Sequence, residues 1–139
     1  MDTQRIKLVQ RTFRKMVPVA QDTGELFYGR LFDIVPSMRP LFKGDMKKQA
    51  QMLMTAIGLT VESLEHPERV TSQLAQIGQR HIGYGAIPSD FDKFGAALLW
   101  AFGQALGDDW TPEVQAAWIE AFDFIRLSMK QVTTQTGAG

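Results

Sequence analysis

Residues 70–85 read VTSQLAQIGQRHIGYG. Val70, Leu74, Ile77, His81 and Tyr84 recur at alternating steps of four and three, the repeat of one face of an α-helix. His81, one of only two histidines, therefore stands on an apolar stripe. Gly83 and Gly85 end the helix that carries it. An imidazole in that position is a core side chain with satisfied nitrogens or a metal ligand, and imidazole is the commonest metal ligand. The stripe alone leaves both open.

Working outward, helical periodicity continues in both directions. Ile6, Val9, Phe13 and Val17 predict an amphipathic helix ending near Pro18. A second is expected from about Thr23 to Val35, with Leu26, Phe27, Arg30, Leu31 and Ile34, closed by Pro36. Two prolines between Pro36 and Phe42 predict a tight turn or a short 3₁₀ piece. Asp45 then caps a helix from about Met46 to Glu65, with Ala50, Leu53, Ile57, Val61 and Leu64 on one face. His66-Pro67 stops it. The His81 helix spans about Glu68 to Tyr84, and a long helix follows from Pro88 to Leu106. The last has Thr111 as N-cap, Pro112 at its first position and Glu113 in its first turn, and carries Val114, Trp118, Phe122, Ile125 and Met129. The small polar tail 133–139 is expected to fray. With no strand pattern, repeat or linker, residues 1–132 read as one all-α domain of six to seven helices.

Bulk properties exclude several functions. The chain has 139 residues, a formal net charge of zero and no cysteine. That length suits one core. Zero net charge removes the electrostatic footprint of a nucleic-acid binder, and no basic tract suggests an anionic membrane. Without cysteine there are no disulfides, thiolate nucleophiles or Cys-held clusters. Basic residues interrupt the first twenty positions, so no signal peptide is legible, and no run is long enough to span a bilayer. A cytoplasmic location is the expectation.

Four features accompany His81: Leu26-Phe27-Tyr28, Arg39-Pro40-Leu41-Phe42, Gln49 with Leu53 one turn later, and Gly78-Gln79-Arg80 immediately before the histidine. With Leu31-Phe32, Pro36, Tyr84-Gly85 and Ala117-Trp118, their order and spacing resemble the globin family over about Ile6 to Lys130. The likeness is greatest to bacterial single-domain haemoglobins and the haem domain of flavohaemoglobins.

The resemblance implies a globin fold around haem b, with His81 as the proximal iron ligand. The free ring nitrogen would donate to an acceptor, the Ile77 carbonyl being nearest in sequence. Phe42 would stack on the porphyrin. Leu53, Ile57, Ile77, Tyr84, Ile87, Phe91, Phe94 and Leu98 would contribute to the cofactor pocket. Arg80, Lys47 and Lys48 would lie near its rim, where propionates need cations. Tyr28 and Gln49 match the positions facing bound dioxygen. A phenol O–H and an amide N–H donate to a ligand carrying negative charge. Such bonds contribute about 1.5–3 kcal/mol each, or about ten- to a hundred-fold in affinity. Carbon monoxide takes less charge and gains less. His66 would lie roughly 25 Å from Gln49 if their helix continued, so a second histidine ligand is not expected.

Two departures matter. Flavohaemoglobin haem domains typically carry a tyrosine ten residues after the proximal histidine and a glutamate near the end of the last helix. Phe91 and, less securely aligned, Thr133 stand there instead. No dinucleotide-binding glycine fingerprint follows a strand, so turnover would need an external reductase. Reversible oxygen binding is the leading expectation. Nitric oxide dioxygenase activity, for which Tyr28 and Gln49 would be the catalytic candidates, is the alternative, and gas sensing is a weaker one. Expected partners are O₂, NO and CO. The oligomeric state is not legible.

Overall fold

The computed structural model describes residues 1–66, 68–69 and 90–138, without the side chains of 90, 91 and 127–138. Among them are five α-helices: α1 (Thr3–Met16), α2 (Ala20–Ile34), α3 (Met46–Glu62), α4 (Asp90–Leu106) and α5 (Pro112–Ala138). Short 3₁₀ turns cover Val17–Val19, Pro36–Leu41 and Gly107–Asp109. No strand occurs among the described residues. The all-α architecture expected from periodicity is the one observed. No described helix is long and apolar enough to cross a membrane.

The helix ends follow local chemistry. The Asp2 carboxylate accepts from the Arg5 amide at 2.8 Å and starts α1. Asp45 does the same for α3, accepting from Lys47 N at 2.9 Å. Thr111 caps α5, its hydroxyl accepting from Val114 N at 3.2 Å. The two prolines after α2 give the expected 3₁₀ turn.

Three boundaries differ from expectation. α2 begins at Ala20, not Thr23, because the 3₁₀ turn through Pro18 feeds straight into it. Thr23 is then inside the helix, donating back to the Val19 carbonyl at 2.8 Å. α3 ends at Glu62, three residues early, where Ser63 N and Leu64 N turn to carbonyls three residues back. The helical backbone of α5 continues through Ala138, across the segment expected to fray.

α2 is the centre of the packing and lies most extensively on α3 and α4, while α1 packs on α5 and α3. Phe27, Leu31, Met16, Val9, Val61 and Phe102 are almost wholly buried where these helices meet. Leu98, Val114 and Trp118 join that core, the last two as their spacing predicts.

Candidate functional site

The site begins with a missing side chain. A Cβ on Gly24 would lie 2.7 Å from Ala50 Cβ and 2.9 Å from the Ala50 carbonyl oxygen, closer than a side chain tolerates. Glycine therefore lets α2 and α3 cross with their backbones nearly touching. Tyr28 lies one turn beyond Gly24, and Gln49 immediately precedes Ala50. The crossing brings them together: Gln49 Nε2 donates to the Tyr28 hydroxyl at 3.1 Å.

Aromatic rings hold the phenol in place. Tyr28 is 4% exposed. Its ring centroid lies 4.8 Å from Phe27, 5.2 Å from Phe42 and 6.0 Å from Phe32. Phe27 is in turn edge-on to Phe94 at 4.7 Å, and Phe42 lies 5.5 Å from Phe32. Edge and tilted contacts of this kind favour one ring orientation.

Burial pushes the Tyr28 phenol above its ordinary pKa of 10.0, and the bond from Gln49 opposes this without cancelling it. The group is neutral at pH 7 and keeps its proton. Its oxygen accepts from Gln49, and among the described residues no acceptor takes that proton. Gln49 has a second amide hydrogen. The arrangement thus offers hydrogen-bond donors in a mostly apolar setting, where such bonds are stronger than in water.

Gln49, Leu53 and Ile57 follow one another at single-turn intervals on α3. Leu53, Ile57, Phe42 and Phe94 are half-buried and packed against the core, whereas Leu98 is 5% exposed within it. A cleft of about 450 Å³ opens beside Tyr28, lined by Phe32, Arg39, Phe42, Gly44 and Met46 among others. Lys47 and Lys48 are exposed in the first turn of α3. His66 is exposed in the turn after α3, its Nδ1 3.9 Å from Glu68. Because α3 stops at Glu62, the axial distance expected for His66 along a continuous helix does not apply.

Tyr28, Gln49 and Phe42 are therefore brought together from three separate stretches of sequence. Ile77, Arg80, His81, Tyr84 and Ile87 lie outside the described residues, as does the side chain of Phe91. Sequence reasoning missed Gly24, Phe27 and Phe32 as supports of the site. The one signal available was a glycine inside an otherwise sound helix.

A globin family model matches residues 25–129. The chain belongs to the globin family. It is 34% identical over 124 residues to a flavohemoprotein of Xylella fastidiosa, covering 84% of this chain and 31% of the relative. A flavohemoprotein of Bacillus subtilis is 30% identical over 132 residues, with 90% and 32% coverage. Cytoglobin-1 of Oryzias latipes is 27% identical over 151 aligned positions, with 98% and 85% coverage. This globin thus spans about a third of the length of the flavohemoproteins it matches. Family and relatives together support haem-based gas binding.

Proposed function

We propose that this globin binds dioxygen reversibly at haem b, with His81 ligating the iron and Tyr28 and Gln49 donating hydrogen bonds to the gas. The observation that carries this reading is the Tyr28–Gln49 pair, joined at 3.1 Å, with a buried phenol whose proton meets no acceptor among the described residues. A purely structural tyrosine would have its hydroxyl proton matched inside the fold. The residues fit the cofactor. Half-buried Phe42, Leu53, Ile57 and Phe94 offer apolar surface to a flat macrocycle, and the donor pair suits a polarised ligand.

When bound, haem supplies a ferrous iron that takes diatomic gases and shifts charge onto dioxygen. The chain's own residues do the rest. Tyr28 and Gln49 hold their protons where a partly anionic ligand lowers its energy by accepting them, which slows its departure. Phe27 and Phe42 fix the phenol so that little ordering is needed when the ligand arrives. Ile77, Tyr84, Ile87, Phe91 and Leu98 would extend the apolar contacts, and Arg80 would pair with a propionate. The same donors serve a second reading, nitric oxide turnover supported by an external reductase, which the flavohemoprotein relatives favour.

The purified protein should show a Soret band that shifts on reduction and again under O₂ or CO. The His81→Ala variant should lose the band or change its axial ligation. An unaltered spectrum in that variant would overturn the assignment of His81. Sustained consumption of nitric oxide with a reductase and reduced nicotinamide would select the enzymatic reading; one stoichiometric oxidation would select the binder.

A further inference from the structure

α2 carries a second interior glycine whose surroundings are the reverse of those at Gly24. A Cβ on Gly29 would meet nothing among the described residues within 4 Å. A glycine inside a helix is less stable than alanine there, and no neighbour among the described residues requires it. Gly29 lies on an outward groove of about 630 Å³ between α2 and α4. Asp22, Leu26, Gly29 and Asp33 succeed one another along a single stripe of α2 at steps of four, three and four. Leu26 is 41% exposed at the middle of that stripe. Trp100 of α4 forms the opposite wall, with the Arg30 guanidinium 5.0 Å from its ring centroid. Glu25 adds a third carboxylate. Some acids of the described fold are tied to cations, as in Arg14–Glu62, Arg5–Glu120 and Arg126–Asp92. No ion pair takes Asp22, Glu25 or Asp33 among the described residues.

We propose that this groove docks a basic amphipathic helix of a partner protein, with Gly29 as the crossing point. The crossing at Gly24 is the internal precedent: where α3 covers α2, a glycine admits the close approach. Gly29 offers the same bare backbone on a face that no described residue covers. Asp22 and Asp33 lie roughly 16 Å apart along the axis, so lysines or arginines about three turns apart on the partner would meet both. An apolar partner side chain between them would rest on Leu26 and Trp100. This is the helix-in-groove mode, with carboxylates setting orientation and the apolar centre excluding water.

The test titrates the purified full chain with an amphipathic lysine–leucine–alanine helix of roughly five turns, followed by amide chemical shifts. A peptide with glutamate for lysine is the control. Shifts should be confined to residues 22–33 and the neighbourhood of Trp100, weaken with salt, and be absent with the control. Gly29→Phe should weaken binding by about tenfold or more, a loss readable as a change in Kd. Gly29→Ala should melt no lower than the parent, which separates filling the groove from damaging α2. Asp22→Lys combined with Asp33→Lys should abolish binding even if Gly29→Phe folds poorly. The proposal fails if Gly29→Phe is folded and binds the peptide as the parent does, since an acidic surface alone would then suffice. It fails equally if the shifts lie elsewhere, or if the groove proves to be closed by a second copy of the chain that the peptide does not displace.

Discussion

Two buried hydrogen bonds between helices make an instructive pair. Between α1 and α5, the Trp118 indole N–H donates to the Thr12 hydroxyl at 2.9 Å, and Thr12 faces the Leu8 carbonyl at 2.8 Å. Trp118 and Thr12 are 3% and 2% exposed. Every donor in that chain ends on an acceptor, and Phe102 locks the indole edge-on at 4.7 Å. Between α2 and α3, Gln49 donates to Tyr28, but no described residue receives the phenol proton. Both bonds hold two helices together. Only the second leaves a donor unmatched among the described residues, and on the proposed function that difference separates a packing device from a binding one.

The sharpest way to break the comparison is Tyr28→Phe. It removes the unmatched donor and leaves the ring, so the contacts to Phe27 and Phe42 can persist. A bond worth about 1.5–3 kcal/mol to a charged ligand implies that the oxygen off-rate should rise by about ten- to a hundred-fold. The carbon monoxide off-rate should move less. Flash photolysis and stopped-flow displacement measure both. An unchanged oxygen off-rate would reduce Tyr28 to another core aromatic.

Thr12→Val tests the other bond. It preserves shape but leaves the Trp118 N–H buried without a partner. The cost should be about 1–3 kcal/mol in stability, read as a lower denaturation midpoint in urea, with oxygen release unaffected. The reverse outcome, a change in oxygen release without loss of stability, would dissolve the division between the two regions.

pH offers a third contrast, because only one of the two bonds contains a titratable group. The native Tyr28 pKa is raised above 10.0, chiefly by burial. The native state then holds that proton more tightly than the unfolded chain. Stability from this group is fully present below pH 10 and is lost as pH rises through the unfolded value towards the native one. Alkaline denaturation should therefore begin later in Tyr28→Phe than in the parent, and the Thr12→Val curve should keep the parent's slope. A Tyr28→Phe slope identical to the parent's would show that the phenol's burial is not felt in the folding equilibrium.

The same contrast explains what was legible in the sequence. Helix starts at Asp45 and Thr111 were readable because capping is local, and Asp2, not singled out in the sequence, starts α1 by the same chemistry. The 3₁₀ turn after α2 was readable from its two prolines, since proline fixes φ and removes a donor. The start of α2 was misplaced because Thr23, a good cap by type, is back-bonded inside a helix that a preceding turn had already nucleated. At the site, Tyr28, Gln49 and Phe42 were identified through likeness to a family. Periodicity alone could mark only their helix faces. Phe27, Phe32 and Gly24 were missed because their role is to position another residue across a helix crossing, and no spacing within one segment encodes that.

The smallest expected effect lies at the same α1–α5 interface as the Thr12–Trp118 bond. Arg5 reaches Glu120 at 2.6 Å, but the two side chains are 44% and 38% exposed. Water and salt screen such a pair, and two long side chains lose freedom in forming it, so it contributes about 0.2–1 kcal/mol. Arg5→Ala should lower stability by no more than that, and the difference should shrink as ionic strength rises. A double-mutant cycle of Arg5→Ala with Glu120→Ala isolates the pair. A coupling larger than that found for Thr12 with Trp118 would mean that the surface bridge, rather than the buried bond, fixes how α1 lies on α5.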